Sequence, residues 1–454
     1  MFLWLIPVIA LSYFGYGSDE DAWIVGQEAL QCWNTGHYTV SRSTGFPLHE
    51  LLMAPLSAWG AWYACNAFSI LSGLILLFFT WKQSSLGIFR QTTWVIITLA
   101  FLPQVLVNAS STLDYIPSLA CWAAMYYFFL KKKYYYAALC VGLACGFRPS
   151  NGAFILPVCW WIGKERGWKE ASKIFVLALL TGMLAYSPVL IHYGILDPTR
   201  EVSIPWQQNI LIGAYQMLIL LGIAPSLYLA FLFLKKRNEL WQGIKNNGYW
   251  QFHLLHMGIW LLFFWGITSS ESEYLFPIIP SMIYLCDRWL ENRWFKITCV
   301  VLLSYNFISL ELLGGESGNR KIALSIQPGF TWRDWQDRRF KLWFREAATA
   351  YSCQEKTLLM FGSAYVLANN PQWEFAPGHP NIIKQKNGNF YISERILDVR
   401  QLQRLKAEGI TMFVWKQRKW EYLRLEIPHW NEYVRVADDL ELFLRSKSYG
   451  KLMQ

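Results

Sequence analysis

From Met1 to about Leu313 the apolar positions fall in long runs rather than in the one-sided stripes of a soluble helix or strand. Runs of about 17–25 apolar residues bounded by charges or turn residues predict bilayer crossings. About eleven candidates centre near Ile9, Leu74, Ile97, Ala123, Val141, Ile155, Leu179, Ile219, Trp260, Ile283 and Leu303. The runs around Val141 and Ile155 are joined by Arg148-Pro149-Ser150-Asn151-Gly152, which reads as a tight turn. The stretch from Met1 to Tyr16 has no basic leader and reads as a first span rather than a removable signal.

Between these runs the polar segments differ. In the loop after the first span, Ala22, Ile24, Val25, Ala29, Leu30 and Trp33 repeat at near-helical spacing, the pattern of a helix lying in the membrane interface. Gly45-Phe46-Pro47 predicts a turn, and His49 to Trp59 a second short helix. After Leu313 the runs shorten, and Gly314, Gly315 and Gly318 mark a linker. Thr357–Phe361 and Ile410–Trp415 predict strands, with an amphipathic helix over Ser393–Glu408 ended by Gly409. The predicted fold class is therefore membrane all-α over 1–313, followed by a small extracytoplasmic α/β domain over 314–454.

Charge sets the orientation. One alternate set of loops holds Lys82, Arg90, Lys131–Lys133, Lys164, Arg166, Lys169, Lys173, Lys235, Lys236, Arg237, Lys245, Arg288, Arg293 and Lys296. The other holds only Arg42, Arg148 and Arg200. Basic loops stay cytoplasmic, so the loop after the first span and the C-terminal domain face outward. Composition agrees: 54% of residues are hydrophobic and only 16% charged, with 25 Trp and 24 Tyr suited to membrane–water boundaries. The net charge of +10 is spread over short loops and the C-terminal third, which argues against a nucleic-acid surface. Nine cysteines show no CxxC or Cys/His metal spacing, and glycine-rich nucleotide loops are absent.

The candidate chemistry lies on the outward side. Ser18-Asp19-Glu20-Asp21 follows the first span. These acids either cap the interfacial helix or supply a general base or metal-binding carboxylate. Asp114 opens the span near Ala123 from a short outward loop, as an N-cap or as a partner to Asp19 in holding a cation. Arg42, Arg148 and Arg200 run against the positive-inside bias, so each needs an anion, either a phosphate or a nearby acid. Ser269 to Pro280 forms an acidic outward turn leading into a proline-broken span, with Tyr274 at its centre. His253 and His256 read as residues at the cytoplasmic boundary.

Taken in order, Asp19-Glu20, Tyr38-Thr39-Val40-Ser41-Arg42 with Gly45-Phe46-Pro47, Thr112-Leu113-Asp114-Tyr115, Gly142-Leu143-Ala144 with Arg148-Pro149-Ser150, and Tyr274-Leu275-Phe276-Pro277 form a set. That set resembles the GT-C fold glycosyltransferases, within them the protein mannosyltransferase and aminoarabinose transferase type. The resemblance implies inverting transfer of a sugar from a polyprenyl-phosphate donor to a glycan, lipid or protein acceptor at the outer membrane face. It implies Asp19 as base, with Asp21 as the second choice and Glu20 between them. Arg42 and Arg148 would steady the leaving phosphate, with Asp114, Arg200 and Tyr274 in the substrate site. A divalent metal on Asp19 and Asp114 is compatible with this and not required. Glu273 departs from the pattern, where a basic residue often precedes the tyrosine. The expected location is an inner membrane of a bacterial cell envelope. The rival class is a transporter or flippase for a lipid-linked glycan, which favours mid-span ionisable residues and inverted repeats; neither is evident. A non-catalytic scaffold leaves the acidic first loop without a role.

Overall fold

The computed structural model describes residues 2–42, 44–194, 206–267, 272–314, 322–368, 370–377, 379–393, 396–415, 430–438, 440 and 443–444. Its contacts divide the chain into two compact units. The first comprises Met1–Gly17, Glu28–Gly314 and Lys321–Trp335; the second Ser18–Gln27, Gly315–Arg320 and Gln336–Gln454.

The first unit is helical, with helices at each of the eleven apolar runs. Among the described residues, Pro47–Ser84 and Trp168–Tyr193 are long and apolar enough to cross a membrane. Thr92–Phe101 with Pro103–Ala109, bent by 59°, and Ile210–Leu221 with Ile223–Lys235, bent by 99°, raise that to four if each pair is one span. About eleven crossings are therefore not all matched by length and composition. Phe2–Ser12, Tyr115–Leu130 and Tyr134–Phe147 are shorter apolar helices, below the roughly 20 residues of a straight crossing. The predicted short helix at His49–Trp59 is the first part of Pro47–Ser84, which turns at Gly60 and at Ala61, where φ is +47°. β1 (Ile308–Gly314) pairs antiparallel with β2 (Ile322–Pro328), so Gly314 ends a strand, while Gly315 and Gly318 of the predicted linker lie outside the described residues.

Small residues bring helices close where the polar cluster lies. A Cβ on Gly142 would sit 2.4 Å from Thr181 Cβ, and one on Gly146 would sit 2.7 Å from Ala185 Cβ and 3.1 Å from Leu48 Cβ. The end of Tyr134–Phe147 is thus pressed against both Trp168–Tyr193 and the first turn of Pro47–Ser84, a backbone approach only small residues permit. Inside the unit, His253 and His256 are fully buried. Both Nδ1 atoms lie 2.9 Å from Ser281 Oγ, and His253 Nε2 lies 2.9 Å from Tyr126 OH.

The second unit is an α/β fold. Its strands are β3 (Thr357–Met360), β4 (Trp373–Ala376), β5 (His379–Gln385), β6 (Phe390–Ser393), β7 (Thr411–Trp415) and β8 (Val434–Ala437), in the order β4-β5-β6-β3-β7-β8. The β6-β3-β7-β8 part is parallel, and β4-β5-β6 is antiparallel. Successive side chains of a strand point to opposite faces. Leu358 and Met360 join Leu402, Leu405, Met412 and Val414 in one core, while Leu359 and Phe361 join Phe344, Ala348, Phe390 and Ile392 in the other. Burial on both faces explains why β3 is continuously apolar. The predicted helix over Ser393–Glu408 is realised as Val399–Ala407, begun by an Asp398/Gln401 capping box. Phe330–Ala350, a helix rich in charge and aromatics, was not singled out by sequence.

Candidate functional site

In the first unit a buried ionic cluster is assembled from three separate segments. Asp114 ends the turn between Pro103–Ala109 and Tyr115–Leu130. Local bonds fix that turn: Ser110 Oγ and Ser111 Oγ donate to Val107 O at 2.7 and 2.8 Å. Thr112 donates its N–H to Tyr16 O at 2.8 Å and its hydroxyl to Asn66 Oδ1 at 2.8 Å. Asp114 occupies the N-cap position, but its side chain makes no capping bond. Its carboxylate instead accepts from Arg42 Nη2 through one oxygen and from Arg148 Nη1, at 2.8 Å, through the other. The Asp114 side chain is 0% exposed, those of Arg148 and Arg42 5% and 14%. Burial by itself raises a carboxyl pKa, but the two guanidinium groups, Arg148 foremost, more than offset it and hold Asp114 at about 2.

Aromatic rings enclose the cations. Arg148 Cζ lies 4.1 Å from the Tyr115 ring centroid, 4.8 Å from Tyr274 and 5.6 Å from Phe46, and Arg42 Cζ lies 4.0 Å from Phe46. Guanidinium faces on desolvated rings gain cation–π attraction beyond their packing. Tyr115 stacks on Phe276, with centroids 5.4 Å apart, tying the segment around Tyr274 to the same cluster.

Glu50, which the sequence reading did not select, holds the segment that delivers Arg42. It is buried, and its carboxylate accepts from Tyr38 OH, from Ser41 N and Oγ at 2.7 and 2.5 Å, and from Phe46 N at 3.0 Å. Tyr186 OH donates to Thr44 O and Tyr193 OH to Tyr38 O at 3.3 Å, pinning the same loop to the helix Trp168–Tyr193. Gly45 turns it with φ of +66°, and a Cβ there would meet Val189 Cγ2 at 2.7 Å and Val40 Cγ1 at 2.9 Å. Gly45→Ala is therefore expected to cost about 1–3 kcal/mol, read as a lowered melting temperature in detergent.

The structure thus brings together Arg42, Asp114, Arg148 and Tyr274. Asp19, Glu20 and Asp21 belong to the second unit. There Asp19 is exposed and its Oδ1 accepts the Asp21 N–H at 2.9 Å, the capping arrangement for the helix Glu20–Thr35. Glu20 Oε1 accepts from Ser363 Oγ at 3.2 Å, and Lys341 Nζ donates to Ser18 O. Arg200 lies outside the described residues. Among the described residues no group of three or more His, Cys, Asp or Glu side chains could hold a metal ion.

No protein-family model matches the chain, and none of the curated proteins matches it. Solved structures similar to it include two of one protein. One is ArnT from Cupriavidus metallidurans in the apo state, 15% identical, TM-score 0.44, covering 65% of this chain and 61% of that one. The other is ArnT from Cupriavidus metallidurans bound to undecaprenyl phosphate, 10% identical, TM-score 0.47, covering 80% of this chain and 84% of that one. At that similarity, what the chain does has to be argued from its own residues.

Proposed function

We propose that the chain is an integral membrane glycosyltransferase that moves a sugar from a polyprenyl-phosphate donor to an acceptor hydroxyl at the outer membrane face, with inversion. The observation that supports this best is the Arg42–Asp114–Arg148 cluster. Two guanidinium groups converge on one buried carboxylate among Phe46, Tyr115 and Tyr274, which concentrates two cations in apolar surroundings. Such an arrangement attracts an anion far more strongly than a solvated arginine does. The phosphate of a lipid-linked sugar is the anion a membrane delivers to an outward loop.

In the reaction the acceptor oxygen bonds to the anomeric carbon as the bond from that carbon to the donor phosphate breaks. The phosphate leaves with the electron pair, and Arg42 and Arg148 stabilise its developing charge. The hydroxyl proton has to pass to a base, for which the resemblance implies Asp19.

The test is transfer of radiolabelled sugar from a panel of polyprenyl-phosphate donors in membranes, comparing wild type with Asp19→Asn at matched expression. Asparagine caps a helix as well as aspartate does, so the variant removes the base and keeps the fold. Label is expected to reach acceptor only with the wild type. Activity within a few-fold in Asp19→Asn would refute the base assignment. No transfer by the wild type from any donor would refute the enzyme reading in favour of lipid-glycan transport.

A further inference from the structure

His49 lies in the first turn of Pro47–Ser84, one residue before Glu50, and is completely buried. Among the described residues neither Nδ1 nor Nε2 has a hydrogen-bond partner. A neutral imidazole carries one N–H and one lone pair, and burial strips water from both. The contrast with its neighbours is sharp. Glu50, equally buried, has both carboxylate oxygens engaged. His253 has both ring nitrogens bonded, and His256 has one. Single atoms without a partner occur on other buried side chains, such as His256 Nε2 and Asn151 Oδ1, but among the described residues His49 alone has two.

Position gives the ring a use. His49 follows three residues after Phe46, whose ring lies 4.0 Å from Arg42 Cζ and 5.6 Å from Arg148 Cζ, so it sits at the helix end that borders the ionic cluster. Gly146 presses the end of the helix carrying Arg148 against Leu48, its immediate predecessor. An anion held by Arg42 and Arg148 has more acceptor oxygens than two shared guanidinium groups satisfy. A third cation beside them would add like-charge repulsion. A neutral imidazole N–H adds a donor without adding charge.

We propose that His49 is a binding residue of this site, donating a ring N–H to a phosphate oxygen of the lipid-linked donor; the inference rests on the donor class proposed above.

The experiment measures binding of radiolabelled undecaprenyl phosphate to the purified full chain in detergent, with inorganic phosphate as competitor, alongside melting temperature without ligand. His49→Leu fills the site with an apolar side chain of similar bulk and removes two unpaired polar groups. It is expected to weaken lipid-phosphate binding by about tenfold or more, as loss of a hydrogen bond to a charged group does, while melting temperature holds or rises. His49→Gln restores an N–H donor and is expected to recover most of the affinity. Wild-type affinity retained by His49→Leu overturns the inference alone. So does affinity lost with a falling melting temperature in both variants, since that marks a structural role. Competition by inorganic phosphate at millimolar concentration identifies the headgroup as the bound element, and binding indifferent to it overturns the contact proposed for His49. A wild type that binds no lipid phosphate overturns the donor reading and this inference together.

Discussion

Asp114→Ala is expected to cost about 3–5 kcal/mol of stability, because it removes the carboxylate that both buried guanidinium groups, Arg42 and Arg148, pair with. Removing one partner of a buried ion pair costs more than the pair contributes, since the remaining charge keeps its desolvation penalty. Denaturant or thermal melting in detergent reads the loss. A combined Asp114→Leu, Arg42→Met, Arg148→Met chain should recover most of the stability while failing to bind an anion. That outcome separates the structural part of the cluster from its chemistry. The same carboxylate sets a pH signature. Its pKa falls from about 3.9 in an unfolded chain to about 2 in the fold. Its contribution is therefore complete above about pH 4 and is lost as pH falls towards 2. Melting temperature followed across that window should drop in the wild type, and drop less in the triple variant, where this group is gone.

Glu50→Gln is the second large effect, and it acts at a distance from any substrate. The carboxylate receives four donors, from Tyr38, Ser41 twice and Phe46. A glutamine amide offers one acceptor oxygen and turns an NH2 towards the remaining donors. With hydrogen bonds to a charged group worth about 1.5–3 kcal/mol each and not additive, a loss on the order of 3 kcal/mol is expected. The loop that aims Arg42 should loosen while Asp114 and Arg148 remain paired. Faster hydrogen exchange at the Ser41 and Phe46 amides, together with a raised KM for donor and a nearly unchanged kcat, identifies a positioning residue. Unchanged exchange at those amides would show that the loop is held by Tyr186 and Tyr193 instead.

Arg42, Asp114, Arg148 and Tyr274 were legible in the sequence because each broke a rule. The arginines stand on the side where topology disfavours them, Asp114 is an acid in a short outward loop at the head of a span, and Tyr274 lies in an acidic turn before a proline-broken span. Their mutual pairing was weighed only as one alternative, since contacts across 34 and 72 residues leave no periodic trace. Glu50 and His49 were passed over as part of a short helix. Adjacent ionisable residues at the head of an apolar run were the signal, because membrane-depth charges are costly. The strands β3 and β7 showed as unbroken apolar stretches, which central strands require. β4, β6 and β8 hold four residues each, too few for alternation to stand out. The number of crossings was the least legible feature. An apolar run fixes where a helix forms, but not whether it goes straight, as Trp168–Tyr193 does, or bends by 59° or 99° within its length.

The three ties at the cluster differ greatly in reach, and this bears on the order in which the site is made. Tyr38 and Glu50 are 12 residues apart, Asp114 and Arg148 are 34, and Arg42 and Asp114 are 72. Closing a loop costs more entropy the longer it is. The Glu50 staple therefore closes on its own short segment and pre-shapes the Arg42 loop before any distant helix has docked. By the same measure Asp114 and Arg148 tie next, and Arg42 joins last, across the longest loop. A fault in the staple is thus felt at the docking of Arg42, whereas the tie between Asp114 and Arg148 forms without it.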